Sequence, residues 1–152
     1  MGVGVIDAER GGLALVHHEV IEPRRNDPIA TRLHALLTRL NAMIEELRPT
    51  SVAIEQPFAG ENKRTALAIG HAQAVAMVAA AGHGLDVSNY PPRQVKQAVT
   101  DYGGSSKEQV QQMVAVLLEM DEAPPSFDAS DALAVAICHV NASEVNELAI
   151  ID

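Results

Sequence analysis

A short apolar run that ends on a carboxylate constrains this 152-residue chain more than any other stretch of its sequence. Ser51-Val-Ala-Ile-Glu55 is apolar and partly β-branched up to its last residue, which predicts a short buried strand, and Gln56-Pro-Phe58 predicts a turn. A carboxylate at the end of a buried strand is costly to desolvate unless a cation or a donor meets it. Glu55 is therefore a candidate site residue. The alternative is that Glu55 steps into solvent where the strand ends.

The other apolar patterns predict further strands and helices in an α/β order with a mixed sheet. Asp27 and Pro28 are expected to start the first helix, and Pro49 to follow its end. Strands are predicted at 2–6, 13–20, 51–54 and 85–90, and helices at 28–48, 64–81, 93–99, 107–117 and 127–140. We expect one domain over residues 1–140 and a flexible tail over 141–152.

The helix predicted at 64–81 is rich in alanine and apolar on two sides, so it is expected to be buried on two sides. In a domain of this size the second side can pack on another copy of the chain, which predicts a two-fold dimer. The alternative is a central helix that its own domain covers.

Composition excludes several classes of protein. A net charge of −9 argues against nonspecific nucleic-acid binding by bulk charge, and no apolar run approaches the roughly 18 residues of a membrane span. A single cysteine, Cys138, excludes an internal disulfide and fits a reducing, cytoplasmic compartment. An acidic cytoplasmic enzyme or binding module remains.

A pair of carboxylates marks the last predicted helix. Asp128 and Asp131 are three residues apart, so their side chains share one helix face. Oxygen ligands suit Mg²⁺ or Mn²⁺, and the pair predicts a site for such a cation. The alternative is that Asp128 only caps the helix and Asp131 is a solvated acid. His139 lies about 12 Å further along the helix, too far to share that cation easily, and no Cys/His spacing matches a zinc site.

Three stretches carry a resemblance to a known family. The first is Ala53-Ile-Glu-Gln-Pro-Phe58. The second is a central block made of Arg93-Gln-Val-Lys-Gln97, Gly104-Ser-Ser-Lys107 and Gln109-Val-Gln-Gln-Met-Val114. The third is Asp128-Ala-Ser-Asp131-Ala-Leu-Ala134. In order and spacing they resemble the RuvC family of Holliday-junction resolvases over essentially the whole chain.

The resemblance implies a ribonuclease-H-like fold, a mixed five-stranded sheet flanked by helices. It implies a homodimer that nicks two opposing strands of a four-way DNA junction in recombination and repair, in partnership with a branch-migration motor complex. Carried over, Glu55, Asp128 and Asp131 become catalytic carboxylates that bind two Mg²⁺ ions, for which Mn²⁺ can substitute.

The resemblance also implies the DNA contacts. Phe58 would stack on an unpaired base at the crossover, and the alternative is ordinary core packing. Arg93, Lys96 and Lys107 would line a groove for the DNA backbone, and the alternative is scattered surface charge.

The sequence departs from the family at its start. The family's first strand, which ends in Gly-Ile-Asp-Pro-Gly and carries the first metal ligand, has no counterpart here, and Gly2-Val-Gly-Val-Ile6 resembles the second strand. Asp7 lacks the following Pro-Gly and is not assigned to the site. Without this central strand the chain as written is expected to be unstable and a poor nuclease, and a start codon assigned too late would explain the difference. The competing hypotheses are a junction-binding or dimeric interaction protein without catalysis and another ribonuclease-H-like nuclease.

Overall fold

The computed structural model describes residues 1–9, 12–57 and 62–151, with side chains as far as Ser143. Strands and helices alternate largely as the sequence predicts, so the α/β expectation is confirmed. The elements are β1 (Gly2–Glu9), β2 (Gly12–Val20), α1 (Ile29–Leu47), β3 (Ser51–Glu55), α2 (Lys63–Gly82), β4 (Asp86–Tyr90), α3 (Pro92–Thr100), α4 (Lys107–Leu117) and α5 (Phe127–Ile151).

The described strands form two pairs, β1 with β2 and β3 with β4. β1 and β2 are antiparallel, from the partners Gly2 and Val20 at one end to Glu9 and Gly12 at the other. The register shifts between Val5 and Ile6, where β2 carries one extra residue. Such a bulge locally increases the twist of the pair.

Two compact units make up the described chain. The α1–α2 unit contains Met1 and Ile21–Asn89, and thus α1, β3, α2 and most of β4. The hairpin–helix unit contains the β1–β2 hairpin together with the chain from Tyr90 onward, and thus α3, α4 and α5.

Helix α5 is the centre of the hairpin–helix unit and packs on β1, α3 and α4. Leu133, Ala134 and Ile137 are fully buried or nearly so. A helix that is apolar on most faces is buried on most faces, as its sequence predicts. Full burial of a leucine or isoleucine side chain contributes about 1.5–3 kcal/mol, so α5 supplies much of the stability of this unit.

Helix α5 is longer than its predicted end at Val140, because it continues to Ile151. Residues 141–152 contain neither glycine nor proline, so no strong stop signal interrupts the helix there. The flexibility of this segment remains a prediction.

Helix α1 starts at Ile29 and packs against α2. The expectation that Asp27 caps α1 is wrong, because Pro28 occupies the cap position with an extended ψ of 147° and no side-chain cap. The backbone N–H of Asp27 instead donates to the carbonyl of Arg24 in the preceding turn, over 3.2 Å. Leu36 and Met43 are the buried residues of α1, and Ile29, at its start, is half exposed.

Helix α2 carries an apolar face that its own unit leaves open. Leu67 is 61% exposed and Val78 is 60% exposed, while Ala79 and Ala80 on another side are buried. The helix also has the length and mean hydropathy, 1.4, of a membrane span, a test that core helices of soluble proteins pass as well. Coverage of this face by the chain's own unit, one of the two sequence interpretations, is not observed among the described residues.

Candidate active site

The start of α5 is capped by a residue that the sequence reading did not single out. The Ser126 hydroxyl accepts a hydrogen bond of 3.2 Å from the backbone N–H of Ala129. This contact is the one by which an N-cap residue satisfies the unpaired donors of a helix start. Ser126 therefore performs the capping that the alternative interpretation gave to Asp128. The sequence contained a signal for this cap, because Ser126 lies three residues before Ala129, as an N-cap residue lies before the backbone N–H that it accepts from.

The two carboxylates of α5 lie on one helix face in different environments. Asp128 is exposed in the first turn, and Asp131 is half-buried one turn later. A helix start stabilises negative charge through its backbone donors and dipole. The carboxylate of Asp131 also accepts a hydrogen bond of 3.1 Å from the ammonium group of Lys107. Asp131 is thus a paired acid rather than a merely solvated one.

Lys107 reaches this pair from the first residue of α4. A reciprocal capping box between Ser106 and Gln109 fixes the start of that helix, so the backbone of Lys107 is held in place. Its Nζ atom also lies 5.8 Å from the centre of the Phe127 ring, within cation–π range. The structure therefore places one of the predicted DNA-binding residues directly beside one of the predicted carboxylates, a contact that the sequence did not predict.

A close approach between β1 and α5 fixes where the carboxylates stand. A Cβ atom added to Gly2 would lie 1.9 Å from the backbone oxygen of Asp128, and one added to Gly4 would lie 2.8 Å from the backbone nitrogen of Leu133. No side chain fits at either glycine without moving backbone. The first turn of α5 therefore lies directly on the strand backbone.

Glu55 is the last residue of β3, as predicted, and lies in the α1–α2 unit. Its backbone oxygen accepts a hydrogen bond from the side-chain amide of Gln73 on α2, which ties the end of the strand to that helix. Glu55 is half-buried, so it does not simply step into solvent where the strand ends, as the alternative interpretation has it. The predicted stacking residue Phe58 lies outside the described residues.

The two remaining predicted DNA contacts, Arg93 and Lys96, lie on α3. The buried residues Val95 and Val99 hold this helix in the hairpin–helix unit. Arg93 is exposed and Lys96 is half-buried. The side chain of Arg93 lies against the backbone of Gly103, where an added Cβ would be 2.5 Å from its Cγ atom.

Over the ranges that the structure describes, no three His, Cys, Asp or Glu side chains are grouped as a metal site. Asp128 and Asp131 offer hard oxygen donors that fit a divalent cation as part of a ligand set. His139 is engaged elsewhere, because its Nδ1 atom and the Tyr90 hydroxyl share a hydrogen bond of 2.9 Å. Burial lowers the pKa of His139 and raises the pKa of the neighbouring Cys138 thiol, so both favour their neutral forms.

Comparison with known proteins decides the family. The family model of crossover junction endodeoxyribonuclease RuvC matches residues 1–139. The chain belongs to the RuvC family. Curated relatives include the RuvC of Dehalococcoides mccartyi strain 195, 48% identical over 91% of this chain and 84% of the relative. The RuvC of Geobacter sulfurreducens is 45% identical over 93% of this chain and 86% of the relative.

Solved structures agree with this assignment. The Thermus thermophilus RuvC structure has a TM-score of 0.84 at 32% identity, and covers 95% of this chain and 88% of that one. The structure of T. thermophilus RuvC in complex with Holliday junction substrate has a TM-score of 0.86 at the same identity and coverage.

Family membership confirms several expectations at once. The fold is ribonuclease-H-like and the chain is an endonuclease of the Holliday-junction resolvase family. The interpretation as a binding protein without catalysis is not favoured. The family also implies a nuclease that depends on a divalent metal and a protein that does not reside in a membrane.

Proposed function

We propose that this chain nicks four-way DNA junctions with Asp128, Asp131 and Glu55 as its metal-binding catalytic carboxylates. The observation that carries the proposal is the start of α5, where Ser126 takes the capping role and two carboxylates share one face. Acidic side chains that are not needed to cap the helix, in a family of metal-dependent nucleases, are suited to bind the metal.

The proposed metal is Mg²⁺, two ions per site, with Mn²⁺ as a substitute. Bound there, divalent cations would supply a Lewis acid for the scissile phosphate and an activated water for in-line displacement. The residues of the chain position these cations. Asp128 and Asp131 project from one helix face. The side-chain amide of Gln73 donates to the backbone oxygen of Glu55, which fixes the backbone from which the Glu55 side chain extends.

The basic residues of the hairpin–helix unit are proposed to bind the DNA backbone. Arg93 on α3 and Lys107 on α4 are both exposed and can each meet a phosphate, and Lys96 contributes from the side of α3. Local positive charge of this kind compensates for the net charge of −9. Phe58 is proposed to stack on an unpaired base at the crossover.

Paired nicking of two opposing strands needs two active sites, so the proposal includes a homodimer. The exposed apolar face of α2, with Leu67 and Val78, supports it, because a second copy could bury that face. We also propose action in the cytoplasm, on junctions that a branch-migration motor complex presents.

The test uses a labelled four-way junction and the linear duplex of the same sequence, each with Mg²⁺ or with EDTA. Wild-type protein should nick the junction in Mg²⁺ alone, in contrast to the poor nuclease that the missing first strand predicts. Asp128→Asn, Asp131→Asn and Glu55→Gln should each lower cleavage by more than about a hundredfold while binding persists, because even the loss of a residue that only orients a metal ligand costs about 10- to 100-fold.

Two exposed acids that the proposal does not use serve as matched controls, Asp121→Asn and Glu46→Gln. Both should cleave at the wild-type rate. Cleavage at that rate by Asp128→Asn or Glu55→Gln would overturn the carboxylate assignment. A folded wild-type protein that binds the junction but never cleaves it with any divalent metal would overturn the catalytic proposal.

A further inference from the structure

The loop between α3 and α4 presents an exposed aromatic side chain that the proposed function does not use. Tyr102 is 68% exposed, the most exposed of the large apolar or aromatic side chains among the described residues. The only other tyrosine of the sequence, Tyr90, is buried. An exposed tyrosine presents an apolar ring face together with a polar hydroxyl, which suits a partner that is apolar on one side and hydrated on the other.

The backbone of Tyr102 is held on both sides. Its N–H donates to the hydroxyl of Thr100 over 3.3 Å. Its carbonyl accepts from the backbone N–H of Ser105 over 3.2 Å and from the Ser105 hydroxyl over 2.9 Å. Ser105 itself is buried. The exposure of Tyr102 therefore comes from an ordered loop, and a partner would bind it with little loss of backbone entropy.

Two adjacent glycines make room for the Tyr102 ring and for the Arg93 side chain. A Cβ on Gly104 would lie 2.7 Å from the Cζ and hydroxyl oxygen of Tyr102, and one on Gly103 would lie 2.5 Å from Cγ of Arg93. The Tyr102 ring therefore lies against Gly104, and the Arg93 side chain, which comes from α3, lies against the neighbouring Gly103. A side chain at either glycine would displace one of them.

We propose that Tyr102 stacks on a nucleobase of the junction while Arg93 binds a phosphate of the same strand. An exposed ring and a cation that pack against adjacent residues can recognise a nucleotide together, since the cation binds the phosphate and the ring stacks on the base. The inference rests on the proposed junction cleavage and adds a base contact to it. A protein partner would use the same ring, but the neighbouring arginine favours a polyanion.

The first experiment compares Tyr102→Ala with Tyr102→Phe in junction binding and cleavage. Alanine should weaken junction binding about tenfold, within the range that loss of one base-stacking ring produces, and phenylalanine should restore it. Val116→Ala is the control, because Val116 is similarly exposed, at 66%, near the other end of α4. It should bind and cleave as wild type does.

The second experiment reads the stacking directly. The chain contains no tryptophan, so Tyr102→Trp introduces a single fluorescent indole at this position. Its emission should be quenched when the junction binds, and the same titration with Val116→Trp should show no quenching.

The outcomes separate the inference from the proposed function. Wild-type binding and cleavage by Tyr102→Ala, or an unchanged emission of Tyr102→Trp on a junction that is bound, would overturn the base contact and leave junction cleavage intact. Equal losses in Tyr102→Phe and Tyr102→Ala would also overturn stacking, because the hydroxyl would then be the essential group. If the wild-type chain neither binds nor cleaves the junction, both proposals fail together.

Discussion

The ammonium group of Lys107 and the carboxylate of Asp131 meet at 3.1 Å across the start of two helices. Their side chains are 57% and 34% exposed, so the pair contributes at most about 1 kcal/mol to folding stability. In the proposed site the same lysine stands beside a metal ligand, where its positive charge opposes that of a divalent cation.

Replacing Lys107 with methionine should therefore separate stability from metal binding. The unfolding free energy should change by less than about 1 kcal/mol, because both side chains of the pair are partly exposed to solvent. Metal affinity in the absence of DNA should rise a few-fold, since one opposing charge is removed. Calorimetric titration with Mn²⁺ checks the second point, and Lys63→Met on α2 is the control for a lost surface charge. Weaker metal binding in Lys107→Met would show that the lysine supports the site instead.

Gly2→Ala should destabilise the protein although it adds only a methyl group. The new Cβ would lie 1.9 Å from the Asp128 carbonyl oxygen, so strand or helix backbone must move. Overpacking of this kind costs about 1–3 kcal/mol, and a chain of this length loses about 2–4 °C in Tm per kcal/mol. Thermal unfolding measures the effect.

Gly12→Ala is the matched control for Gly2→Ala, because nothing lies within 4 Å of its added Cβ. It should change stability by no more than about 0.5 kcal/mol. Equal Tm values for Gly2→Ala and Gly12→Ala would contradict the close approach of α5 to β1.

Ser130→Ala should stabilise the protein. The Ser130 hydroxyl is fully buried on α5 and has no hydrogen-bond partner in the described part of the chain. Removing an unsatisfied buried hydroxyl gains about 1 kcal/mol or more, and alanine also has the higher helix propensity. Ser143→Ala, an exposed position on the same helix, reports the propensity term together with the loss of one exposed hydrogen bond, because the Ser143 hydroxyl donates to the His139 carbonyl over 2.9 Å. If both variants gain the same amount in chemical denaturation, the burial argument is wrong.

His139 should make stability depend on pH in the mildly acidic range. Burial lowers its pKa below the ordinary value of 6.5, so the unfolded chain binds the proton more readily than the folded one. Its contribution is therefore absent well above pH 6.5, and destabilisation grows as the pH falls through 6.5 and levels off below the folded-state pKa.

The comparison of wild type with His139→Gln isolates this effect, since glutamine keeps polar atoms near Tyr90 but does not titrate. The difference in unfolding free energy between the two proteins should move in favour of the variant as the pH is lowered from 7.5 to 5. A difference that stays constant over that range would exclude His139 as its source.

Leu67→Glu should shift the protein from dimer to monomer. Leu67 and Val78 stand eleven positions, three helical turns, apart on the exposed face of α2. A carboxylate in the centre of a buried apolar interface has no partner and is costly. Sedimentation velocity measures the change, and Val116→Glu on α4 is the control. A wild-type protein that sediments as a monomer at micromolar concentration would contradict the proposed interface.

Local signals in the sequence were sufficient for most elements. The apolar run before Glu55 predicted β3, and the spacing of Asp128 and Asp131 predicted a shared helix face, because both patterns depend on residues close in the chain. Pro28 was misplaced by one position, since a proline is compatible with both the cap and the first helical residue.

Contacts between distant residues could not be obtained in this way. No pattern in the sequence relates Lys107 to Asp131. Likewise, nothing in the sequence indicates that the backbone of Asp128 lies against Gly2, because a glycine in a strand indicates only that the strand is weakened there. The exposure of Tyr102 was also hidden, since it depends on how Thr100 and Ser105 tie the loop.

If the proposed site is correct, helix α5 joins two duties that many enzymes divide among separate elements. Its first turns carry Asp128 and Asp131, and its next turns, with Leu133 and Ile137, are the packed centre of the hairpin–helix unit. In a genetic screen, alleles that lose activity only at raised temperature should therefore concentrate on this one helix. Many of them would affect residues that never meet DNA, and growth at the permissive temperature would reveal that the chemistry itself is intact.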